Sequence, residues 1–126
     1  MKKKNKQAYI ALGIFAVIII AFFIFKPSEN PGEFDNFVNC LAEKDAKFYG
    51  AYWCGHCKTQ KELFHDSEDL LKEEVYIECA EDAINNQRDK CIEAGITAYP
   101  TWIINGQKYT GTKSINQLSE LTGCEA

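Results

Sequence analysis

Residues 47–58 read KFYGAYWCGHCK, and the order of residue types in this stretch decides the fold class. Lys47 to Trp53 is rich in aromatic residues and predicts a buried strand that ends at Cys54. A helix is expected to start at the cysteines and to run to about Glu73, because Leu63, Phe64, Leu70 and Leu71 alternate with charged residues over that span. Val75 to Cys79, VYIEC, follows as a second strand. Strand, helix and strand in this order suggest a βαβ unit and hence an α/β fold.

Working outward, Phe34, Phe37, Val38 and Leu41 recur at helical spacing and predict an amphipathic helix ahead of the first strand, closed by a turn at Lys44 to Lys47. Cys40 lies three residues after Phe37, on the apolar side. Downstream, a polar helix is expected from about Asp82 to Ala94, ended by Gly95. Ile96 to Tyr99 then leads into Pro100 and Thr101 and a short strand, Trp102 to Ile104. Asn105-Gly106 is the strongest hairpin signal in the chain and makes Gln107 to Thr110 the partner strand. Ser114 and Gln117 form a capping-box pattern for a last helix carrying Ile115, Leu118 and Leu121. The sum is an α/β sandwich with a mixed sheet.

The chain is 126 residues long, about one domain's worth. Its first twenty-six residues hold five of the fourteen basic residues and none of the eighteen acids, so the other hundred carry nine bases against eighteen acids. That acidic balance lacks the basic footprint phosphate-backbone binding needs, and nucleic acid is excluded as an expected partner. Residues 1–7, MKKKNKQ, form a basic tail, and residues 8–25 carry no charge. Eighteen helical residues span roughly 27 Å, close to the hydrocarbon thickness of a bilayer. The run lacks the small-x-small site that ends a secretory signal, so an uncleaved transmembrane anchor is expected rather than a cleaved leader. The lysines place the N-terminus in the cytoplasm and the rest of the chain outside. Residues 26–32, KPSENPG, read as a tether, and residues 33–126 as the folded domain.

All six cysteines fall in that domain, a density that suits an oxidising compartment or a thiol enzyme. Cys54 and Cys57 stand three positions apart at a helix start, close enough to form and break a small disulfide ring. Free N–H groups and the positive end of the helix dipole favour the thiolate of Cys54, the natural nucleophile. His56 between them adds a hydrogen bond or a positive charge. Stabilising the thiolate stabilises the reduced form and makes the disulfide a better oxidant. A single CxxC is also half a zinc site. No second CxxC exists, however, and neither His56 nor His65 stands at knuckle spacing to Cys79 and Cys91, so redox chemistry is preferred and no metal or other cofactor is expected. His65 reads as a solvated helix residue.

Tyr52-Trp53-Cys54-Gly55-His56-Cys57-Lys58 resembles the active site of the thioredoxin fold, with the Gly-His order of protein disulfide isomerases. Tyr99-Pro100-Thr101, with Pro100 46 residues after Cys54, resembles the cis-proline loop of the same fold. From Ala46 to Gly123 the chain is similar to the thioredoxin-like domain fused to bacterial vitamin K epoxide reductase homologues. The resemblance implies a mixed central sheet flanked by helices, here preceded by one transmembrane helix. It implies that Pro100 shapes the substrate groove, with Trp53, Tyr99 and Thr101 as substrate-binding neighbours, and keeps metals from the thiols. Trp53, Tyr52, Tyr99 and Trp102 read as an apolar rim for unfolded peptides, with core packing as the alternative and the expected place of Trp102. It implies a structural disulfide between Cys79 and Cys91, with a second redox relay as the alternative. Since the first and last helices of that fold are expected on opposite faces of the sheet, Cys40 is read as a buried free thiol and Cys124 is left open. The chain departs from the family at Phe48, where a buried carboxylate is usual, so Lys58, a water or a substrate group must assist Cys57.

The resulting expectation is a membrane-anchored thiol-disulfide oxidoreductase that forms or isomerises disulfides in exported proteins at the outer face of a bacterial cell membrane. A separate membrane quinone reductase of the vitamin K epoxide reductase type would reoxidise it. The alternatives are a tethered reductant of the cytochrome-maturation type, or a non-catalytic thiol module that binds metal or peptide.

Overall fold

The computed structural model describes residues 2–24 and 31–126. Phe25 of the apolar run, and Lys26 to Asn30 of the expected tether, lie outside the described residues. The chain divides into two units, Met1–Asn30 and Pro31–Ala126. In the first, α1 (Lys2–Ile24) is one continuous helix, and its segment Asn5–Phe22 is long and apolar enough to cross a membrane.

The second unit opens with α2 (Asp35–Glu43), which buries Phe37, Val38 and Leu41. Four strands follow in the chain, β1 (Lys47–Gly50), β2 (Tyr76–Glu78), β3 (Thr101–Ile104) and β4 (Gln107–Thr110), and form one sheet in the order β2-β1-β3-β4. β1 and β2 are parallel, whereas β1–β3 and β3–β4 are antiparallel, so the sheet is mixed. Asn105 and Gly106 both take positive φ, 52° and 76°, at the β3–β4 turn, the geometry an Asn-Gly hairpin favours. Alternation along the strands sorts the core into two clusters. Phe48, Tyr76, Trp102 and Ile104 face one side with Cys57, Phe64, Leu71 and Leu118. Tyr49, Ile77 and Cys79 face the other with Cys91, which belongs to α5 (Arg88–Glu93).

The helix expected from Cys54 to Glu73 is broken in two. It consists of α3 (Gly55–Glu62), a 3₁₀ turn at His65–Ser67, and α4 (Glu68–Glu74). Phe64 turns inward and stacks on Phe37, 6.1 Å between ring centres. His65 then takes φ 48°, and its Nδ1 lies 3.0 Å from the Glu33 carboxylate. Ser67 is buried, and its hydroxyl accepts the Phe34 N–H at 2.9 Å. The break re-phases the apolar stripe so that Leu71 reaches the core. The helix expected from Asp82 to Ala94 is also shorter, because the Asn86 side chain donates to the carbonyls of Glu81 and Ala83 and holds that segment in turns, as Asn side chains do in competition with helix. α6 (Ile115–Thr122) carries the expected capping box, with Ser114 and Gln117 bonding each other's backbone N–H groups.

The reading of the cysteines outside the CxxC needs one correction. Cys40 is not free: it is bridged to Cys124, with Cα atoms 5.9 Å apart. α2 and α6 do not lie on opposite faces. Phe37, Val38 and Leu41 of α2 pack in the same cluster as Leu118 of α6 and Cys124, which brings the two thiols within bridging range. Cys79 and Cys91 are also bridged and tie the end of β2 to α5.

Candidate active site

β1 delivers the chain to the cysteine pair. After Gly50 the backbone leaves the sheet in a turn closed by Cys54 N–H donating to the Ala51 carbonyl at 3.0 Å. The aromatic stretch therefore does not remain a strand as far as Cys54. Ala51 stays buried, whereas Tyr52 and Trp53 project outward, 56% and 62% exposed. Cys54 is the N-cap of α3, with extended φ and ψ, and its Sγ accepts the Cys57 N–H at 3.2 Å. That bond and the helix dipole both favour negative charge on this sulfur. Cys54 is half-buried and bridged to Cys57, which is completely buried. One sulfur is therefore open to a partner and the other is held behind it.

The backbone of β1 passes close beneath the inner sulfur. A Cβ on Gly50 would lie 2.9 Å from Cys57 Sγ and 3.0 Å from Cε2 of Tyr76, so only a glycine leaves the sulfur room. Gln60, one turn beyond Cys57 and fully buried, fastens α3 to the rest of the domain. Its Oε1 accepts from Trp102 Nε1 at 3.0 Å and from Lys113 N–H at 2.7 Å, and its Nε2 donates to the Lys113 carbonyl at 2.9 Å. His56 is exposed, and its carbonyl accepts from the Thr112 hydroxyl. Lys58 is exposed.

The Tyr99–Pro100 peptide is cis, as expected. Tyr99 meets Trp53 edge to face at 6.0 Å, so the two form one aromatic rim. Pro100 is buried. Thr101 is also buried, its hydroxyl committed to the Ala98 carbonyl at 2.8 Å. Trp102 is wholly in the core, stacked on Phe48 with ring centres 5.0 Å apart.

Two polar residues that pattern reading did not single out, Gln60 and Glu78, are buried at the site. Glu78 sits next to the active-site turn: its Oε1 accepts from Ala80 N–H at 2.9 Å and from Tyr52 N–H at 3.3 Å, and its Oε2 from the Tyr76 hydroxyl at 2.9 Å. Burial, and then this hydrogen bond to Glu78, push the Tyr76 phenol far above its usual range. Lys61 stands over the Tyr76 ring, 3.9 Å from its centre, and burial lowers its ammonium pKa against the opposing pull of Glu78. Tyr52 is raised chiefly by its hydroxyl's hydrogen bond to Asp82 at 2.7 Å. A Glu between two apolar strand residues carries a weak signal, alternation, that would have placed its side chain on the Tyr76 face. Among the described residues, no group of three or more His, Cys, Asp or Glu side chains is arranged to hold a metal ion.

A helix-capping cysteine pair and a cis-proline loop on a mixed sheet define a thioredoxin-like domain. Residues 27–122 match the thioredoxin family model, and the chain belongs to that family. It is 41% identical over 81 residues to the thiol-disulfide oxidoreductase LTO1 of Arabidopsis thaliana, covering 62% of this chain and 21% of that protein. It is 30% identical over 97 residues to the protein disulfide-isomerase of Humicola insolens, covering 77% of this chain and 19% of that protein. The chain thus spans about a fifth of the length of these curated relatives. Among solved structures, oxidised mitochondrial thioredoxin 3 of Saccharomyces cerevisiae is similar at 21% identity, covering 69% of this chain and 86% of its own, with a TM-score of 0.43.

Proposed function

We propose that the protein is a membrane-anchored thiol-disulfide oxidoreductase that forms or isomerises disulfides in exported proteins through Cys54 and Cys57. The observation that carries this reading is the asymmetry of the pair: Cys54 is partly open at the N-cap of α3 with its sulfur hydrogen-bonded, and Cys57 is wholly buried. Relatives named as a thiol-disulfide oxidoreductase and a protein disulfide-isomerase support it. In the oxidising direction, a substrate thiolate attacks Cys54 Sγ and the Cys54–Cys57 bond breaks, leaving Cys57 as the thiolate. The second substrate thiolate then attacks its own partner sulfur and releases Cys54, so two electrons pass from substrate to enzyme. In isomerisation, the Cys54 thiolate attacks a substrate disulfide and releases one substrate thiolate; a different substrate thiolate then attacks the mixed disulfide, forms the new substrate bridge and frees the Cys54 thiolate, whereas resolution by Cys57 instead releases the substrate reduced. Trp53 and Tyr99 offer an apolar rim on which an unfolded chain docks, and exposed His56 stands at the mouth of the pair.

The apolar helix α1 supports a single-pass anchor. The lysine-rich residues 2–6 favour a cytoplasmic N-terminus and an extracytoplasmic catalytic domain. Resemblance to domains fused to vitamin K epoxide reductase homologues supports a quinone reductase of that type as the reoxidising partner. Cys54→Ala is expected to abolish disulfide exchange with a reduced, unfolded substrate, and Cys57→Ser to accumulate a mixed disulfide through Cys54. Wild-type exchange by the Cys54→Ala protein would overturn the assignment. Mixed disulfides with exported proteins support the oxidase or isomerase, and mixed disulfides with apocytochromes would instead establish a tethered reductant.

A further inference from the structure

Phe48 of β1 is packed between Trp102 and Tyr76, in the same core cluster as Cys57. A carboxylate is also buried on the same face of the sheet. In the parallel pairing of β1 with β2, Phe48 stands opposite Tyr76 and Gly50 opposite Glu78. Directly opposed residues share a face, and neighbouring strands lie about 4.8 Å apart. The direction a Gly50 side chain would take meets Cys57 Sγ at 2.9 Å. Glu78 therefore leaves the sheet on the Cys57 side, one strand away, at 5% exposure.

Three donors converge on that carboxylate: the N–H groups of Ala80 and Tyr52, and the Tyr76 hydroxyl. These bonds give the buried carboxylate oxygens partners away from water. Tyr52 is two residues before Cys54, so the same group that carries the charge also fixes the turn presenting the nucleophile. Tyr76 links the two sulfur-side features, since its ring edge lies 3.0 Å from the Gly50 point that Cys57 Sγ also approaches. The other titratable groups around Glu78 and Tyr76 are Lys61 of α3, Tyr99 of the proline loop, and Asp82 through Tyr52. Glu68 and Lys72 of α4 act in turn on Lys61. Lys61 is the one of these that opposes Glu78 directly, in sign and in position, across the Tyr76 ring.

We propose that Glu78 is a positioning residue of the dithiol pair: its buried negative charge disfavours the Cys57 thiolate, and its bond to Tyr52 N–H holds the turn in front of Cys54. The inference rests on Cys54 and Cys57 being the reacting pair. In resolution of a mixed disulfide, the Cys57 thiol gives its proton to solvent water, and its sulfur bonds to Cys54 Sγ. The bond from Cys54 to the substrate sulfur breaks, and the substrate leaves as a thiolate that takes up a proton. Glu78 sets the pH at which the first of these events begins and tilts the pair toward its disulfide.

The test uses the full chain in detergent, reduced at Cys54 and Cys57 while the other two bridges stay closed, as checked by mass. Thiolate absorbance is followed against pH, and the dithiol–disulfide equilibrium is measured against glutathione. Glu78→Gln keeps the size and the acceptor oxygen but removes the charge. It is expected to lower the upper thiol ionisation by about one pH unit and, at pH above that ionisation in both proteins, to move the equilibrium about tenfold toward the dithiol. Lys61→Met is expected to move both in the opposite direction, and Glu78→Asp to return both toward wild type. A purely structural role would not give opposite signs for the two charges. Wild-type ionisation and equilibrium in Glu78→Gln overturn the proposal; should that variant not fold, an unshifted Lys61→Met does so. The titration needs no substrate, so a wild-type protein that titrates in this way but exchanges no disulfides would refute the proposed function and leave the role of Glu78 standing.

Discussion

At the scale of single residues, the site depends on side chains that make room or hold charge where none is exposed. Gly50 lets a strand pass against Cys57 Sγ at a distance no other residue allows, and Phe48 fills with aromatic packing a place where an acid would need partners. Tyr76 does two things at once, packing on Phe48 and donating to Glu78, and its raised pKa has a consequence for stability. Above about pH 10 an unfolded tyrosine has lost its proton, whereas the folded protein keeps the Tyr76 proton. The unfolded state then binds fewer protons than the native state, so stability is unaffected below that range and falls as pH rises through it. Tyr49 is raised in the same sense, chiefly by burial, and adds to the slope. Urea unfolding between pH 8 and about 11 is expected to show this loss, and Tyr76→Phe to show a shallower one. Equal slopes in the two proteins would mean that Tyr76 is not held neutral by its surroundings.

At the scale of elements, the decisive arrangement is that α2 and α6 share one face of the sheet with the cysteine helix. The Cys40–Cys124 bridge fastens the first helix of the domain to the second residue beyond the last one, at a sequence separation of 84. A cross-link that closes a long loop restricts the unfolded chain, and such bridges contribute typically 2–4 kcal/mol. Replacing both cysteines by alanine is expected to lower unfolding free energy by about that amount in denaturant titrations, while leaving the Cys54/Cys57 equilibrium with glutathione unchanged. A loss below about 0.5 kcal/mol would show that the ends of the domain are held by packing alone. The same elements show what was legible in the sequence. The cysteine pair, the hairpin at Asn105-Gly106 and the capping box at Ser114 depend on neighbours a few residues apart, and each was readable, whereas the cis bond before Pro100 was readable only through the resemblance to the thioredoxin fold. The break at His65 was not, because it is set by Phe64 finding Phe37, 27 residues earlier. Gln60 was silent for the same reason: a buried amide whose partners are Trp102 and Lys113 has no local signature. Glu78 showed only the alternation that puts it on the Tyr76 face, and the turn it holds through Tyr52 lies 26 residues away. The helix-face argument for Cys40 failed because it took the placement of α2 from the family rather than from this chain's own apolar stripe.

At the scale of the whole molecule, the chain combines an apolar N-terminal helix with a domain rich in acids that three disulfide bridges cross-link. Those bridges suit an oxidising compartment, and the lysines at residues 2, 3, 4 and 6 favour retention of the N-terminus on the cytoplasmic side. Both observations favour the proposed orientation on unrelated physics, one on thiol redox poise and the other on the cost of moving clustered positive charge across a bilayer. The orientation is tested by adding protease outside intact cells whose outer barriers have been removed. Residues 31–126 are expected to be cleaved without lysis, and the chain to stay with the membrane after an alkaline wash. Deleting residues 1–30 with an alternative export signal supplied is expected to release the domain into the aqueous fraction with an unchanged unfolding midpoint, since the two units are compact separately. Protection of the domain until the cells are lysed would place the dithiol in a reducing compartment, where Cys40–Cys124 and Cys79–Cys91 would have to resist the glutathione pool, and the assignment to exported substrates would fall with it.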